Sequence, residues 1–355
     1  MRVEAIRSPY SGDYLPGVFP LTLALFSARI LAMMDETRTA PGKAFREGLS
    51  IIEVFDMFPN DRAAEKWFED IRWGETGRCC PRCGSVETSE CKDRKPMPYR
   101  CRTCRKHFSV RIGTTMQSTK IGYRKWALAT YLLVTGLKGT AAMKVHRELK
   151  MTQRSAWFLM HRIREGFFMA HPPKLTGTVE VDEMYVGGKQ ENRHAKDRKR
   201  YSASDAYGKK PVVAAVQRDG KVIAQPIHRT DANTLTRFVE GSVRHGSRVI
   251  TDDHGGYTDL MESYRHRTVK HSVGQYVKGV DVHTNTVESL WSMFKRGFVG
   301  TYHRMSFKHL HRYVQEFAGR KNQRELDTYD QMVELVRGFD GRRLRYRDLV
   351  GRRAA

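Results

Sequence analysis

VHTNTVESLWSMFKR, residues 282–296, is the stretch on which the fold turns. Wound as a helix, it sets Asn285, Glu288, Ser292 and Lys295 at successive offsets of three, four and three, within one arc of surface. Val287, Leu290, Trp291 and Phe294 fill the neighbouring arc at i, i+3, i+4 and i+7, the spacing of a stripe that buries against a core. A carboxylate and an ammonium therefore stand seven residues apart on a face held by packing. Solvated helix faces carry such pairs constantly, so the meaning of this one depends on what converges on it.

Two apolar runs upstream each end in an acidic residue: VEVD, followed by EMYV, at 179–186, and VITD, followed by DHGGY, at 249–257. Runs of β-branched residues broken by Asp and then Gly read as strands that stop at a loop. A carboxylate at a strand end opens onto whatever lies above the sheet, whereas in mid-strand it would be buried unpaired. Asp182 and Asp252 can thus converge with the helical Glu288. Three carboxylates at one point repel one another unless cations lie between them. Hard oxygen ligands suit magnesium or manganese, and two such ions suit in-line phosphoryl displacement, here phosphodiester cleavage and strand transfer.

The runs VEVDEMYVGGK, VITDDHGGY and HTNTVESLWSMFKRG, in that order, resemble the three blocks of the DDE-superfamily transposases. They are most similar to the bacterial insertion-sequence enzymes with a zinc ribbon before an RNase H-like catalytic domain. Asp252 and Glu288 have 35 residues between them, as in that superfamily, and Lys295 follows two turns beyond the Glu. The resemblance implies a mixed-sheet α/β catalytic domain over 175–325. It also implies Asp182, Asp252 and Glu288 as ligands of two magnesium (or manganese) ions, with Asn285 the rival for the third position, and Lys295 as a phosphate contact. Asp253 and Glu183 adjoin the two Asp residues. Neighbours along a strand face opposite ways, so only one of each pair can meet the metals, and the resemblance selects Asp182 and Asp252. Glu180 shares the face of Asp182 and is the lesser candidate.

The chain has 355 residues, with 63 Lys and Arg against 39 Asp and Glu, a formal charge of +24. That length suffices for two or three domains, and so large an excess of cations points to a polyanionic partner. The expected partner is double-stranded DNA, both element ends and target. Bringing two ends together calls for a homo-oligomer, and the cell's DNA places the protein in the cytoplasm, with no membrane association. Residues 1–50 form an extension of little information. Its apolar run at 18–28, cut short by Arg29, is too short to span a bilayer, and translation is expected to start at Met33 or Met34.

Residues 55–115 read as a helix, after Pro59 and Asn60 with Ala63, Trp67 and Ile71 on one side, followed by a ribbon. Cys80-Pro-Arg-Cys83 and Cys101-Arg-Thr-Cys104 are CxxC knuckles 17 residues apart. That spacing suits four thiolates on a structural zinc with no open position for catalysis, and Gly84 permits the turn after the first knuckle. Cys79 and Cys91 are bystanders. The stretch 99–111 is basic with interleaved aromatics, so Arg102, Arg105 and Lys106 are candidate DNA contacts.

Residues 120–170 form a helical module. Within it, 140–149, a turn at Lys150 and Met151, and 152–164 make a helix-turn-helix with Thr152 as N-cap. Gln153, Arg154 and Ser155 then open a recognition helix, where base edges are read. His171-Pro-Pro173 marks the boundary to the catalytic domain. The charged loop 187–210 is expected to order on DNA, 211–217 and 222–227 to form a hairpin paired with the first strand, and Asp231 to open a helix. A helix at 306–322 buries Leu310, Tyr313, Val314 and Phe317, and residues 326–355 form a basic tail, expected to be flexible and phosphate-binding over 342–353. The histidines between His254 and His311 lack the company that a zinc hydrolase needs. Two rival functions share these features: a nuclease of the same fold without strand transfer, and a zinc-ribbon DNA-binding protein with an inactive catalytic domain.

Overall fold

A computed structural model describes residues 47–351 apart from 75–76, 92–93, 170, 188–208, 254, 270–276 and 279–280. The extension 1–46, nearly all of the charged loop and the last four residues lie outside the described residues. None of the helices described is long and apolar enough to cross a membrane.

The N-terminal part opens with α1 (Ile51–Met57) and α2 (Asp61–Trp73). Ser50 and Glu53 close a reciprocal capping box on α1, and Asn60 caps α2. The inward face of α2 carries Ala64, Trp67, Phe68 and Trp73, whereas Ala63 and Ile71 are half-buried. A three-stranded antiparallel ribbon follows, β1 (Thr88–Glu90), β2 (Tyr99–Cys101) and β3 (His107–Phe108). Next come α3 (Tyr123–Thr135), α4 (Ala142–Glu148) and α5 (Gln153–Arg164). Thr152 caps α5 as expected, and Lys150, at φ 45°, turns the chain between α4 and α5.

One buried cluster joins Trp67, Phe68 and Trp73 of α2, Tyr99, Cys101 and Phe108 of the ribbon, and Trp126, Leu133, Leu159 and Ile163 of the helices. Ribbon and helical module, the spans 55–115 and 120–170 of the sequence reading, therefore share one core. The C-terminal residues correct an expectation. Residues 326–351 are not a tail: α9 (Thr328–Arg337) inserts Met332, Leu335 and Val336 into that same core with Phe339. Leu344 and Leu349, flanking α10 (Tyr346–Val350), are buried too. From Leu326 to Phe339 an apolar residue recurs every three or four positions, and that periodicity outweighs the local excess of Arg.

The second part is a five-stranded mixed sheet in the order β6-β5-β4-β7-β8. β4 (Thr178–Val186) pairs antiparallel with β5 (Lys210–Gln217), which forms a hairpin with β6 (Val222–Pro226). β7 (Arg248–Asp252) runs parallel to β4, with β8 (Arg265–Val269) parallel beyond it. Alternation along β5 sends Val212, Ala214 and Val216 to one core and Val213 and Ala215 to the other. On the first face pack α7 (Asn285–Gly297) and α8 (Phe307–Asn322), through Val287, Leu290, Trp291, Phe294, Leu310, Tyr313, Val314 and Phe317. On the other lie α6 (Ala232–Ser242), capped by Asp231, and the turns at Gly255–Glu262. This three-layer arrangement is the mixed-sheet α/β fold expected for 175–325, with the first strand paired to the hairpin.

Candidate active site and zinc centre

β4 runs past Asp182 to Val186 and pairs with β5 throughout, Asp182 opposite Ala214. The expectation of a strand end at Asp182 is therefore wrong, because Met184 and Val186 still have a core to fill. Asp182 opens outward for another reason: β7 pairs with β4 only over Thr178–Glu180. Glu180 is level with Ile250, so two residues further along each strand stand Asp182 and Asp252, just where the ladder stops. Period two puts Glu180, Asp182, Met184 and Val186 on the face of β4 that meets α7. Glu183 accepts a 2.6 Å hydrogen bond from the Tyr257 hydroxyl, and Tyr257 belongs to the opposite core.

Asp182, Glu183, Met184, Tyr185, Lys209, Glu288, Trp291, Ser292 and Lys295 line a cleft of about 550 Å³. Burial, then repulsion from Asp252 and Glu183 and, more weakly, Glu288, pushes the Asp182 carboxyl up to about 7. Carboxylates thus gather at the cleft, and their hard oxygen donors fit a divalent cation of the magnesium class. Asn285 is exposed at the first turn of α7 and is not among the cleft's lining residues; Glu288, half-buried, accepts from the Thr284 hydroxyl at 2.9 Å. Lys295, exposed two turns on, also lines the cleft. Lys209 joins them without any signal in the sequence beyond the charge of its loop.

α7 receives no cap from its own side chains: Thr284 makes no capping hydrogen bond. Glu180, fully buried, supplies one from β4. Its carboxylate accepts from the backbone N–H groups of Thr286 (2.7 Å) and Val287 (3.1 Å) and from the Thr286 hydroxyl (3.0 Å). Arg218, from the hairpin turn, donates to it at 2.8 Å and to the carbonyls of Asp281 and His283. A negative charge at a helix N-terminus satisfies orphan donors and is attracted by the positive end of the helix dipole. The residue that the sequence ranked as a minor ligand candidate thus holds the helix bearing Glu288 against the strand bearing Asp182. Glu180→Gln keeps the shape but removes the charge, at a cost of about 2 kcal/mol. The variant is expected to melt a few degrees lower and to need more magnesium for half-maximal thermal stabilisation; an unchanged magnesium midpoint would mean that Glu180 does not position Glu288.

In the ribbon the thiols of Cys80, Cys83, Cys101 and Cys104 all lie within 4.8 Å of one another, with Cys80–Cys104 at 3.7 Å and Cys83–Cys101 at 3.6 Å. Zn–S bonds of about 2.3 Å place the sulfurs of a tetrahedron about 3.8 Å apart, so the cage fits a zinc ion and is far too wide for disulfides. Gly84 takes φ 74° after the first knuckle and donates to the Cys80 carbonyl at 2.9 Å. The Cys104 N–H donates to the Cys101 sulfur and favours its thiolate. At Cys83 a hydrogen bond from the Ser85 backbone is outweighed by desolvation and the neighbouring thiols, which push in the opposite direction, as sulfurs that share one cage do before a cation binds. Cys79 and Cys91 are outside the cage. Because Cys80 and Cys101 belong to the shared core, chelation is expected to destabilise the helical module as well as the ribbon. Proteolysis after treatment with a strong zinc chelator checks this: cuts should appear around α3–α5, and cuts confined to the ribbon would contradict the shared core.

Of the candidate DNA contacts, Arg102, Arg105, Lys106, Gln153 and Arg154 are exposed. Ser155 is half-buried, and its hydroxyl accepts from Thr152 at 2.9 Å within the cap. Further along α5, Arg162 and Arg164 turn inward and are buried, so the outer face of that helix is confined to its first turns.

The sequence profile of the ISXO2-like transposase domain matches residues 174–322, and that of the transposase zinc-ribbon domain matches residues 59–107. A protein of Halobacterium salinarum, described as an uncharacterized protein in transposable element ISH50, is 27% identical over 250 residues, which cover 67% of this chain and 83% of the relative. With two such matches in that order, around a four-thiolate ribbon and a carboxylate-lined mixed-sheet domain, this chain carries the zinc-ribbon and DDE-type domains of an insertion-sequence transposase.

Proposed function

We propose that this transposase cuts DNA at the ends of its element and joins the freed ends to target DNA, using Asp182, Asp252 and Glu288 as ligands of magnesium. The convergence of Asp182 with Asp252 and Glu288 beside Lys295 carries this reading. Magnesium, bound there, supplies a polarised nucleophilic oxygen and neutralises charge on the leaving oxygen. The three carboxylates orient it, each fixed by a different element: β4, β7 and α7. Lys295, a flexible point charge at the rim, holds a phosphate beside the scissile bond. In the first step a water oxygen bonds to phosphorus as the P–O3′ bond breaks, leaving a 3′-hydroxyl and a 5′-phosphate. In the second, that 3′-hydroxyl attacks a target phosphodiester, so one P–O bond forms and one breaks, with the target's own 3′-hydroxyl released. Each attacking oxygen loses its proton to solvent, and each leaving oxygen gains one. The exposed cations of the ribbon and of the first turn of α5 support binding of the element ends, and two ends in one synapse require a dimer or larger assembly.

The test is a strand-transfer assay with the full chain, magnesium and duplexes from the two flanks of the gene. Joined product that vanishes on chelation of magnesium supports the proposal. Cleavage without joined product would leave a nuclease of the same fold, and end-specific binding without any cleavage would leave a DNA-binding protein with an inactive catalytic domain.

A further inference from the structure

Among the described residues, the stretch 342–351 carries four arginines, at 342, 343, 345 and 347, against one acidic residue, Asp348. It is strapped to the outside of α5. Phe158 meets the Tyr346 ring edge-on at 5.4 Å, the Arg154 guanidinium lies 5.9 Å from the centre of that ring, and Arg162 donates to the Leu344 carbonyl at 3.0 Å. Leu344 and Leu349 anchor the segment in the interior, and the Lys308 ammonium reaches the Gly351 carbonyl. Arg342 turns inward, donating to the carbonyls of Gly338 and Phe168.

What remains outside is cationic. Arg345 holds Asp348 through two hydrogen bonds, of 2.6 and 2.9 Å, and so neutralises the one carboxylate present. Arg343 is exposed, and the Arg347 side chain is 75% exposed at 3.8 Å from the same carboxylate. Arg154 lies across the ring of Tyr346, the residue next to Arg347 and three beyond Arg343 in the chain. Burial first, and then the Arg343 charge, pull Arg162 down to about 10.

We propose that Arg343 and Arg347 on this folded segment form a phosphate-binding flank of the recognition helix, so that α5 and α10 grip double-stranded DNA together. The inference rests on the reading of α5 as a DNA-binding helix. A helix lodged in a major groove about 12 Å wide has sugar-phosphate walls on both sides, and an element packed against its outer face is placed to meet one of them. The two parts then divide the work. Gln153 and Arg154 at the helix start meet base edges, while Arg343 and Arg347 fix the register through phosphates, without sequence preference. Burial of Leu344 and Leu349 pre-orders the backbone that carries the cations, so that little backbone freedom is lost on binding.

Fluorescence anisotropy with the full chain tests this, using a labelled duplex from the flank of the gene and a shuffled duplex of the same length. The double variant Arg343→Ala/Arg347→Ala is expected to bind both duplexes at least about tenfold more weakly near 0.1 M salt, with a log–log salt slope smaller by about two. Its melting temperature should equal that of the wild type, since neither side chain is buried. Arg154→Ala should instead erase much of the preference for the flank duplex. If the double variant keeps wild-type affinity and slope while Arg154→Ala weakens binding, the flank is refuted and the recognition helix stands. Wild-type protein that binds neither duplex would remove the DNA-binding reading itself, and this inference with it.

Discussion

Asp182→Asn is expected to reduce DNA cleavage by at least a thousandfold, roughly 4 kcal/mol in barrier, while making the magnesium-free protein more stable. The two effects have one cause. Burial and its acidic neighbours raise the Asp182 carboxyl to about 7 from an ordinary value near 3.8. A carboxyl raised in this way contributes stability that is complete below its unfolded value and is lost as pH rises through its folded one. Metal-free wild type should therefore lose stability between about pH 4 and pH 8, most steeply midway between the unfolded and folded values, at about pH 5 to 6, and level off above about 7. The Asn variant lacks this loss, so at pH 8 it should exceed the wild type by on the order of 1 kcal/mol or more, given about 1.4 kcal/mol per pKa unit. Magnesium should raise the melting temperature of the wild type at pH 8, less so at pH 6 where the proton competes, and hardly at all in the variant. Scanning calorimetry of both proteins across that range, with and without magnesium, checks this. A variant less stable than the metal-free wild type at pH 8 would contradict it.

Glu316→Ala is expected to cost about 3–5 kcal/mol and to lower the melting temperature by roughly 10 °C. Glu316, on α8, is fully buried and receives Arg164 of α5 at 2.7 Å and Arg320 of its own helix at 3.0 Å. The Tyr302 hydroxyl lies 2.8 and 2.9 Å from its two oxygens, and also accepts the Thr140 N–H at 3.1 Å. Arg320 reaches on to the carbonyls of Leu133 and Val134 at the end of α3. Burial opposes ionisation of Glu316, but the two guanidinium groups overcome it and hold the carboxyl below its ordinary range. Its removal strands Arg164, whose side chain is 2% exposed, with a charge that water cannot reach. The network also joins the helical module to the segment that follows α7, so its loss should loosen the catalytic domain from the module. Calorimetry and limited proteolysis read this out: one transition should broaden or divide, with new cuts near His171. A loss below about 1 kcal/mol would show that water enters and solvates Arg164.

Much of this architecture was legible from the chain alone. The buried stripe of α7, the N-caps at Asn60, Thr152 and Asp231, the hairpin beside the first strand and the four thiolate ligands depend on residues close in sequence or at fixed spacing. Periodicity of 3.6 or 2 and the chemistry of paired CxxC knuckles state them directly. The proposed metal ligands were legible as residue types, because carboxylates after β-branched runs break the pattern that surrounds them.

What the sequence determined, then, is everything whose cause lies within a few turns or one strand: which segments are helices, which faces are apolar, and which side chains could hold a metal. The tertiary structure alone decided which distant groups satisfy one another. Glu180 caps a helix more than 100 residues away because α7 lacks a cap and β4 has a buried carboxylate to place. α9 returns to the N-terminal core because its apolar face needs a partner, and Asp182 reaches the cleft in mid-strand because one neighbouring strand ends before the other. Desolvation penalties force such unsatisfied donors, charges and apolar faces to pair, but no local pattern names the partner, since the pairing is set by where the whole chain brings its surfaces together.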